Sequence, residues 1–249
     1  MSSTLNNPVL IVCALPQERT AIEALATGIE EVSLPGLALG ALLRGNIDGT
    51  PVALLNCGVG KVAAAVATSA AMAIEPRCVI SVGSAGALTH GFKVGDVVVA
   101  GEVLQHDFAA AEAGGFRLFG YGAETPSAGD PHIRTSTALI DSAIAAALTA
   151  AHARNISLSR GVIATGDCFV NDAATRDAIA ARTGADLVEM EGAAIAYTAA
   201  RWAVPWLVIR SVSDAGDSAA AVSFWEYLEL ASANAAAVVR AIQIGRAHV

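Results

Sequence analysis

The chain is poor in charged residues, in aromatic residues and in clustered basic residues. Charged residues make up 15% and aromatic residues 5% of its 249 residues. The formal net charge of −8, with no lysine or arginine cluster, argues against nucleic acid or an anionic membrane as a partner. Apolar runs are broken by Gly, Pro or charge before they reach membrane-spanning length, so no transmembrane helix is predicted. The first residues lack a basic region before their apolar run, which argues against a secretory signal and predicts a cytoplasmic protein.

Cysteine is scarce and its spacing carries no metal or disulfide signature. Cys13, Cys57, Cys78 and Cys168 form no CxxC pair and no zinc-type spacing with histidine. The pattern favours small buried thiols in a reducing compartment. Neither a metal nor a cofactor is predicted.

Hydrophobic residues are abundant, at 54%, and are organised in alternating segments. Short β-branched runs predict strands at 9–15, 51–57, 78–83, 95–104, 161–166, 185–190 and 206–214. Alanine-rich segments predict helices at 17–26, 61–73, 136–153, 173–182, 192–203 and 224–242. This alternation predicts an α/β protein with a mostly parallel sheet covered on both faces. We expect one domain over 1–249, with a long loop at about 105–135 and an unstructured tail at about 244–249.

Polar residues follow several of the predicted strands. Glu18 follows the first strand, a Gly-Ser-Ala-Gly turn lies in the segment 82–88, Glu191 follows the strand at 185–190, and Asp214 ends the last strand. Each has a structural explanation: Glu18 as a first-turn helix acid, the glycines as a plain turn, and Asp214 as a helix cap. Because open α/β sheets bind ligands at the carboxyl ends of their strands, their convergence predicts a site with general acid and base groups.

A competing signal occurs where Gly58, Gly60 and Ala63 imitate a dinucleotide-binding fingerprint. The next predicted strand ends without the acidic residue that would bind a ribose hydroxyl, and Lys61 is followed by Val rather than Ser or Thr. Close packing of strand and helix at glycine is the simpler interpretation.

Taken together, several motifs resemble the purine nucleoside phosphorylase superfamily and, within it, the 5′-methylthioadenosine/S-adenosylhomocysteine nucleosidases. The matching stretches are ALPQE (14–18), CGVGKVAAA (57–65), VGSAGAL (82–88), KVGDVVVAGEVLQHD (93–107), TGDCFVND (165–172), VEMEGAAIA (188–196) and VPWLVIRSVSDAGD (204–217). The resemblance implies a single-domain, three-layer nucleoside phosphorylase-like fold, with a central mixed β-sheet flanked by helices. It also implies hydrolysis of the N-glycosidic bond of 5′-thio-substituted adenine nucleosides.

The resemblance implies a role for each catalytic candidate. Asp214 would protonate adenine N7, with Ser213 orienting it, and Glu18 would hold the attacking water with help from Ser84 and Arg210. An acid and a water-activating carboxylate are what departure of adenine from an oxocarbenium-like ribose requires.

The same resemblance implies the substrate contacts. Glu191 would bind the ribose hydroxyls, Met190 would line the sugar, Phe169 would stack near adenine, and the backbone at Val170 would read the edge of the base. The strand must then bend or end at Met190. Glu189 receives no catalytic role and is expected to be structural.

Two departures from the family pattern concern the segment after His106 and the first turn. An insertion at 108–118 precedes Phe119 and Tyr121, which in the family close the neighbouring subunit's 5′-alkylthio pocket in a homodimer. Pro16 and Gln17 leave Glu18 as the only carboxylate of its turn.

Two alternatives to a hydrolase stay open. One is a phosphate-dependent purine nucleoside phosphorylase, for which Arg19 or Arg44 could contact the anion, although the charge of Glu18 would repel phosphate. The other is a non-catalytic nucleoside- or dinucleotide-binding protein.

Overall fold

A computed structural model describes residues 7–34, 42–113, 115–121 and 129–242. Its twelve strands are β1 (Val9–Cys13), β2 (Thr27–Val32), β3 (Leu42–Ile47), β4 (Thr50–Asn56), β5 (Cys78–Ala87), β6 (Val97–Gln105), β7 (Ala109–Glu112), β8 (Gly115–Leu118), β9 (His132–Arg134), β10 (Leu158–Thr165), β11 (Leu187–Glu189) and β12 (Trp206–Asp214). The α-helices are α1 (Pro16–Glu23), α2 (Lys61–Ala71), α3 (Thr137–Ala153), α4 (Ala173–Thr183), α5 (Gly192–Arg201) and α6 (Ala220–Ala241), and a 3₁₀ turn (Met72–Ile74) follows α2.

The main sheet is mixed and partly closed. Its strand order is β11-β10-β6-β12-β5-β1-β4-β3-β2, and β11 also pairs with β5. Strands β5, β12, β6, β10 and β11 therefore form a ring. Parallel pairs join β1 to β4 and β5, β10 to β6 and β11, and β12 to β5, while the remaining pairs are antiparallel. The mixed sheet is confirmed: in the described part of the chain, five strand pairs of the main sheet are parallel and five are antiparallel, and the antiparallel pairs include the edge strands β2, β3 and β9.

Two hydrophobic cores cover the two faces of the sheet. On one face, alanines of α2 and α5 such as Ala67 and Ala196 pack on the strands. On the other, Ile22 of α1, Ile140 of α3 and Val238 of α6 form the second core. The result is the three-layer arrangement of helices, sheet and helices. The small alanine side chains let these helices lie close to the strands.

The apolar pattern of the sequence did not predict the strands β2 and β3 at one edge of the sheet. Strands β2 and β3 were not predicted because β2 is polar and mostly exposed, and because Gly45 and Asn46 interrupt the apolar pattern of β3. The predicted helices are present with ends that differ by a few residues, and α6 begins earlier than predicted, at Ala220.

The long loop predicted at about 105–135 is wrong for much of its length. Strands β7 and β8 pair with each other as an antiparallel hairpin, and β9 pairs with β6. The runs 109–112 and 115–118 are too short and too poor in β-branched residues to stand out as strands in the sequence. Residue 114, residues 122–128 and the tail predicted at 244–249 lie outside the described residues.

Candidate active site

One cavity of about 520 Å³ lies where β1, β5, β10, β11 and β12 end. Most of the predicted site residues line it: Glu18, Ser84, Phe169, Val170, Met190, Glu191, Ser213 and Asp214. These strands run parallel to a neighbour or close the ring, so their ends bring residues that are far apart in sequence to one place. Arg210, Phe119 and Tyr121 are not among the lining residues.

Glu18 lies in the first turn of α1 and is 4% exposed. Its Oε2 accepts hydrogen bonds from the backbone N–H groups of Ala14 (3.2 Å) and Leu15 (3.1 Å). Its Oε1 accepts from both the N–H and the hydroxyl of Ser84, each at 2.9 Å. The acid therefore caps its own helix and at the same time lines the cavity, so the structural and functional interpretations of Glu18 are compatible.

Asp214 ends β12 and is 4% exposed. Its Oδ2 accepts from the hydroxyl of Ser213 at 2.8 Å, and its Oδ1 accepts from the N–H of Gly216 at 2.9 Å. Burial raises the pKa of Asp214, and these two hydrogen bonds oppose the rise. A carboxyl group whose pKa is raised in this way is suited to hold a proton and donate it.

The glycines of the GSAG turn provide the space for both carboxylates. A Cβ atom on Gly83 would lie 2.8 Å from Oε1 of Glu18, and one on Gly86 would lie 2.8 Å from Oδ1 of Asp214. Both glycines belong to β5 rather than to a turn. The two carboxylates thus contact the same strand three residues apart, about 10 Å along its backbone.

Glu191 is the N-cap residue of α5 and is 6% exposed. Its Oε1 accepts a hydrogen bond of 2.8 Å from the N–H of Gly60. Burial, and next the charge of Glu189, raise the pKa of Glu191 to about 8. Gly60, one of the glycines that imitate a dinucleotide fingerprint, therefore binds a carboxyl group of the site: its φ is 95° and its N–H donates to Glu191.

Arg210 and Glu189 form a buried ion pair beneath the cavity. The Arg210 Nε donates to Oε2 of Glu189 at 3.2 Å, and its Nη2 donates to the hydroxyl of Ser81 at 2.9 Å. Arg210 was expected to assist Glu18, but among the described hydrogen bonds its guanidinium contacts Glu189 instead. The sequence could not reveal Glu189 as the partner of Arg210, because β11 and β12 do not pair with each other and are brought together by the closure of the ring of strands.

Strand β11 ends at Glu189, as the sugar-lining role of Met190 required. The chain bends at Met190, so Glu189, Met190 and Glu191 all reach the cavity wall. Alternation along an extended strand would have directed Met190 away from the other two.

An aromatic wall was missed at the sequence level. Phe224 and Trp225 of α6 line the cavity beside Phe169. The rings of Phe169 and Phe224 meet edge to face at 5.7 Å, as do those of Phe224 and Trp225 at 5.1 Å. Adjacent aromatic residues in an otherwise alanine-rich helix were the available signal.

Phe119 and Tyr121 lie in a separate aromatic group. The ring of Phe108 contacts those of Phe119 (5.3 Å) and Tyr121 (6.1 Å), and Tyr121 contacts Tyr197 at 4.9 Å. Neither Phe119 nor Tyr121 is among the described residues that line the cavity.

In the described part of the chain, the cavity has no basic lining residue and no metal-binding cluster. Its lining contains no Lys or Arg side chain, and no group of three or more His, Cys, Asp and Glu residues there could hold a metal ion. The four cysteines are free thiols. No helix within the described ranges is long and apolar enough to span a membrane.

Comparison with known proteins assigns this fold and cavity to a class. The family model described as the phosphorylase superfamily matches residues 8–243. The chain belongs to the phosphorylase superfamily.

Within that superfamily, the chain is similar to nucleosidases. It is 36% identical to a 5′-methylthioadenosine/S-adenosylhomocysteine nucleosidase of Haemophilus influenzae, over 92% of this chain and 95% of the relative. The structure of such a nucleosidase from Neisseria meningitidis, in complex with methylthio-immucillin-A, matches with a TM-score of 0.84 and 33% identity, covering 95% of this chain and 98% of the other. A futalosine hydrolase of Helicobacter pylori matches with a TM-score of 0.82 and 28% identity, covering 97% and 99%.

Proposed function

We propose that this protein is an N-glycosyl hydrolase that releases adenine from 5′-thio-substituted adenine nucleosides, namely methylthioadenosine and S-adenosylhomocysteine. The observation that carries the proposal is the pair of buried carboxyl groups, Glu18 and Asp214, which line one cavity and contact the same strand about 10 Å apart. The similarity to nucleosidases over 92% of the chain supports it.

In the proposed mechanism, Asp214 donates its proton to N7 of adenine, so that the base leaves neutral. Ser213 orients Asp214 through the 2.8 Å hydrogen bond to Oδ2. Glu18, fixed by Ser84, holds and deprotonates the attacking water. Cleavage with an oxocarbenium-like transition state needs an acid and a base at separate positions, with room between them for the sugar.

The remaining lining residues hold the substrate in this proposal. Glu191 binds the ribose hydroxyls through Oε2, which accepts none of the described hydrogen bonds, and Met190 lines the sugar. Phe169 stacks near adenine, and the backbone at Val170 reads the edge of the base. Arg210 acts indirectly, because its described bonds lie below the cavity.

Hydrolysis is favoured over phosphorolysis by the charge of the cavity. Glu18, Glu189, Glu191 and Asp214 line it without a lining Lys or Arg among the described residues. A phosphate dianion would find no cationic side chain in this lining and would be repelled by the carboxylate of Glu18, which would instead stabilise a cationic transition state.

The test measures adenine release from methylthioadenosine, S-adenosylhomocysteine and 5′-deoxyadenosine, with and without phosphate. We expect equal rates in both conditions and a free sugar product. Strict phosphate dependence with a ribose-1-phosphate product would establish a phosphorylase instead. Absence of adenine release from these nucleosides and from futalosine-type compounds would contradict the proposal and favour a binding protein.

We also propose a cytoplasmic, single-domain homodimer that acts in nucleoside catabolism and methionine salvage. The separation of Phe119 and Tyr121 from their own cavity supports a dimer in which they contact the cavity of the second copy. Sedimentation equilibrium should give twice the chain mass of 25.1 kDa. A monomer that retains full activity would contradict the dimer.

A further inference from the structure

Glu189 makes more hydrogen bonds than its neighbours in the site. Its Oε2 accepts from the backbone N–H groups of Glu191 (3.0 Å) and Gly192 (2.7 Å), in addition to the guanidinium of Arg210. Its Oε1 accepts from the hydroxyl of Thr165. Both oxygens of Glu189 are thus engaged within the protein, although the side chain borders the cavity.

The two backbone bonds to Glu189 come from the N-terminus of α5. The first N–H groups of a helix have no partner within the helix, and the side chain of the N-cap residue usually accepts from one of them. The N-cap residue of α5 is Glu191, and its side chain makes no such bond. Glu189, two residues earlier, accepts from the N–H groups of the N-cap residue Glu191 and of the first helical residue Gly192. The next N–H, that of Ala193, donates to the hydroxyl of Thr165, which Glu189 also binds.

Because Glu189 and Thr165 bind the first N–H groups of α5, the side chain of Glu191 is available for the cavity. With the helix start satisfied by Glu189, the Glu191 carboxylate extends to Gly60 and to the cavity. Thr165 strengthens the same arrangement, because its hydroxyl also accepts from the N–H of Ala193 at 2.9 Å. Arg210 balances the negative charge that Glu189 brings into the buried region.

We propose that Glu189 is a positioning residue: together with Thr165 it binds the first N–H groups of α5, so that Glu191 does not cap the helix, and it thereby directs the carboxyl group of Glu191 at the ribose hydroxyls. The inference rests on the proposed function, because it assigns Glu189 to the sugar-binding step of that reaction. It predicts that the contribution of Glu189 to turnover depends on the hydroxyl groups of the substrate.

The test compares methylthioadenosine with its 2′,3′-dideoxy analogue, which offers no ribose hydroxyl to Glu191. We expect Glu189→Gln to lower kcat/KM about 10- to 100-fold for methylthioadenosine, because a displaced binding group costs catalysis steeply. For the dideoxy analogue we expect a loss of less than about 3-fold, since the displaced group has no partner there. Glu30→Gln, at an exposed position on β2, is the matched control and should leave both values unchanged.

A double-variant comparison on methylthioadenosine provides an independent measurement. If Glu189 acts through Glu191, the variant that carries both Glu189→Gln and Glu191→Gln should be as active as the less active of the two single variants. Thr165→Val removes the hydroxyl shared by Glu189 and Ala193 and should give a smaller loss with the same dependence on substrate. It replaces Glu189→Gln in the comparison if that variant does not fold.

Equal losses on the two substrates, or additive losses in the double variant, would overturn the inference and leave Glu189 a purely structural residue. These outcomes differ from a failure of the proposed function. In that case the unmodified protein releases no adenine from either nucleoside, and the inference fails together with the function on which it rests.

Discussion

At the scale of single residues, Glu18 and Asp214 differ in their surroundings although both are buried. Four hydrogen-bond donors surround the oxygens of Glu18, a setting that suits an acceptor carboxylate. Asp214 has two donors, and burial raises its pKa. Carboxyl groups in such different environments divide naturally into a base and an acid.

Replacement of Asp214 by Asn tests the acid role. Asn preserves the shape of the side chain but has no acidic proton, so kcat for adenine release should fall by about 100- to 10,000-fold. Adenine binding, measured by calorimetry, should persist. Asp141→Asn changes a surface aspartate whose side chain is 66% exposed and should leave kcat unchanged. Full activity of Asp214→Asn would exclude Asp214 as the proton donor.

The sequence predicted most of the site because its carboxylates directly follow strands. Glu18, Glu191 and Asp214 could be assigned to one edge of the sheet from strand ends alone. The partner of Arg210 could not, because it depends on which strands close the ring. Phe224 and Trp225 were not predicted, because two adjacent aromatic residues mark a helix as unusual but do not show which strand ends its aromatic residues meet.

At the scale of secondary-structure elements, β5 determines where both carboxylates lie. A Cβ atom on Gly83 would be only 2.8 Å from Oε1 of Glu18 and 3.1 Å from its Cδ atom. A side chain at this position must therefore displace the Glu18 carboxylate or the strand.

Gly83→Ala should consequently impair activity more than stability. A displacement of Glu18 by about 1 Å is expected to lower kcat/KM by about 100-fold. Alanine also removes some of the backbone freedom of the unfolded chain, which offsets part of the strain. Gly91→Ala is the matched control, since a Cβ atom there would meet nothing within 4 Å. The measurements are kcat/KM and the thermal unfolding of both variants. Equal activities of Gly83→Ala and Gly91→Ala would contradict the prediction.

Helix α6 supplies a second prediction at this scale. Trp225 lines the cavity, whereas Trp202 follows α5 and is not among the lining residues, and the two are similarly exposed at 64% and 57%. Ligand binding should change the environment of Trp225 alone. We expect titration with adenine to alter tryptophan fluorescence in the wild type and in Trp202→Phe. The signal should largely disappear in Trp225→Phe, and its persistence there would place adenine away from α6.

At the scale of the whole molecule, the site gathers four carboxyl groups in a buried region with one arginine as their described counterion. Burial, and next the charge of Glu189, raise the pKa of Glu191 to about 8 from a usual value of 4.5. The folded protein therefore holds this proton more tightly than the unfolded chain does. Linkage then requires the contribution of Glu191 to stability to be most favourable below pH 4.5 and to decline as the pH rises to about 8.

Glu191→Gln removes this dependence because glutamine has no proton to lose. The free energy of unfolding of the variant should increase relative to that of the wild type between about pH 5 and about pH 8, and the difference should level off above that range. Urea unfolding at several pH values measures it. A constant difference for Glu191→Gln would refute the raised pKa.

The two glycines of β5 have a consequence for how this fold diversifies. The separation of acid and base follows from the repeat of a buried strand, while the aromatic wall and the β7–β8 hairpin lie outside that strand. The strand that positions the two carboxyl groups and the aromatic lining of the cavity thus lie in different parts of the chain. In the proposed mechanism, substitutions in the aromatic wall would change the side chains that meet the nucleoside without moving Glu18 or Asp214.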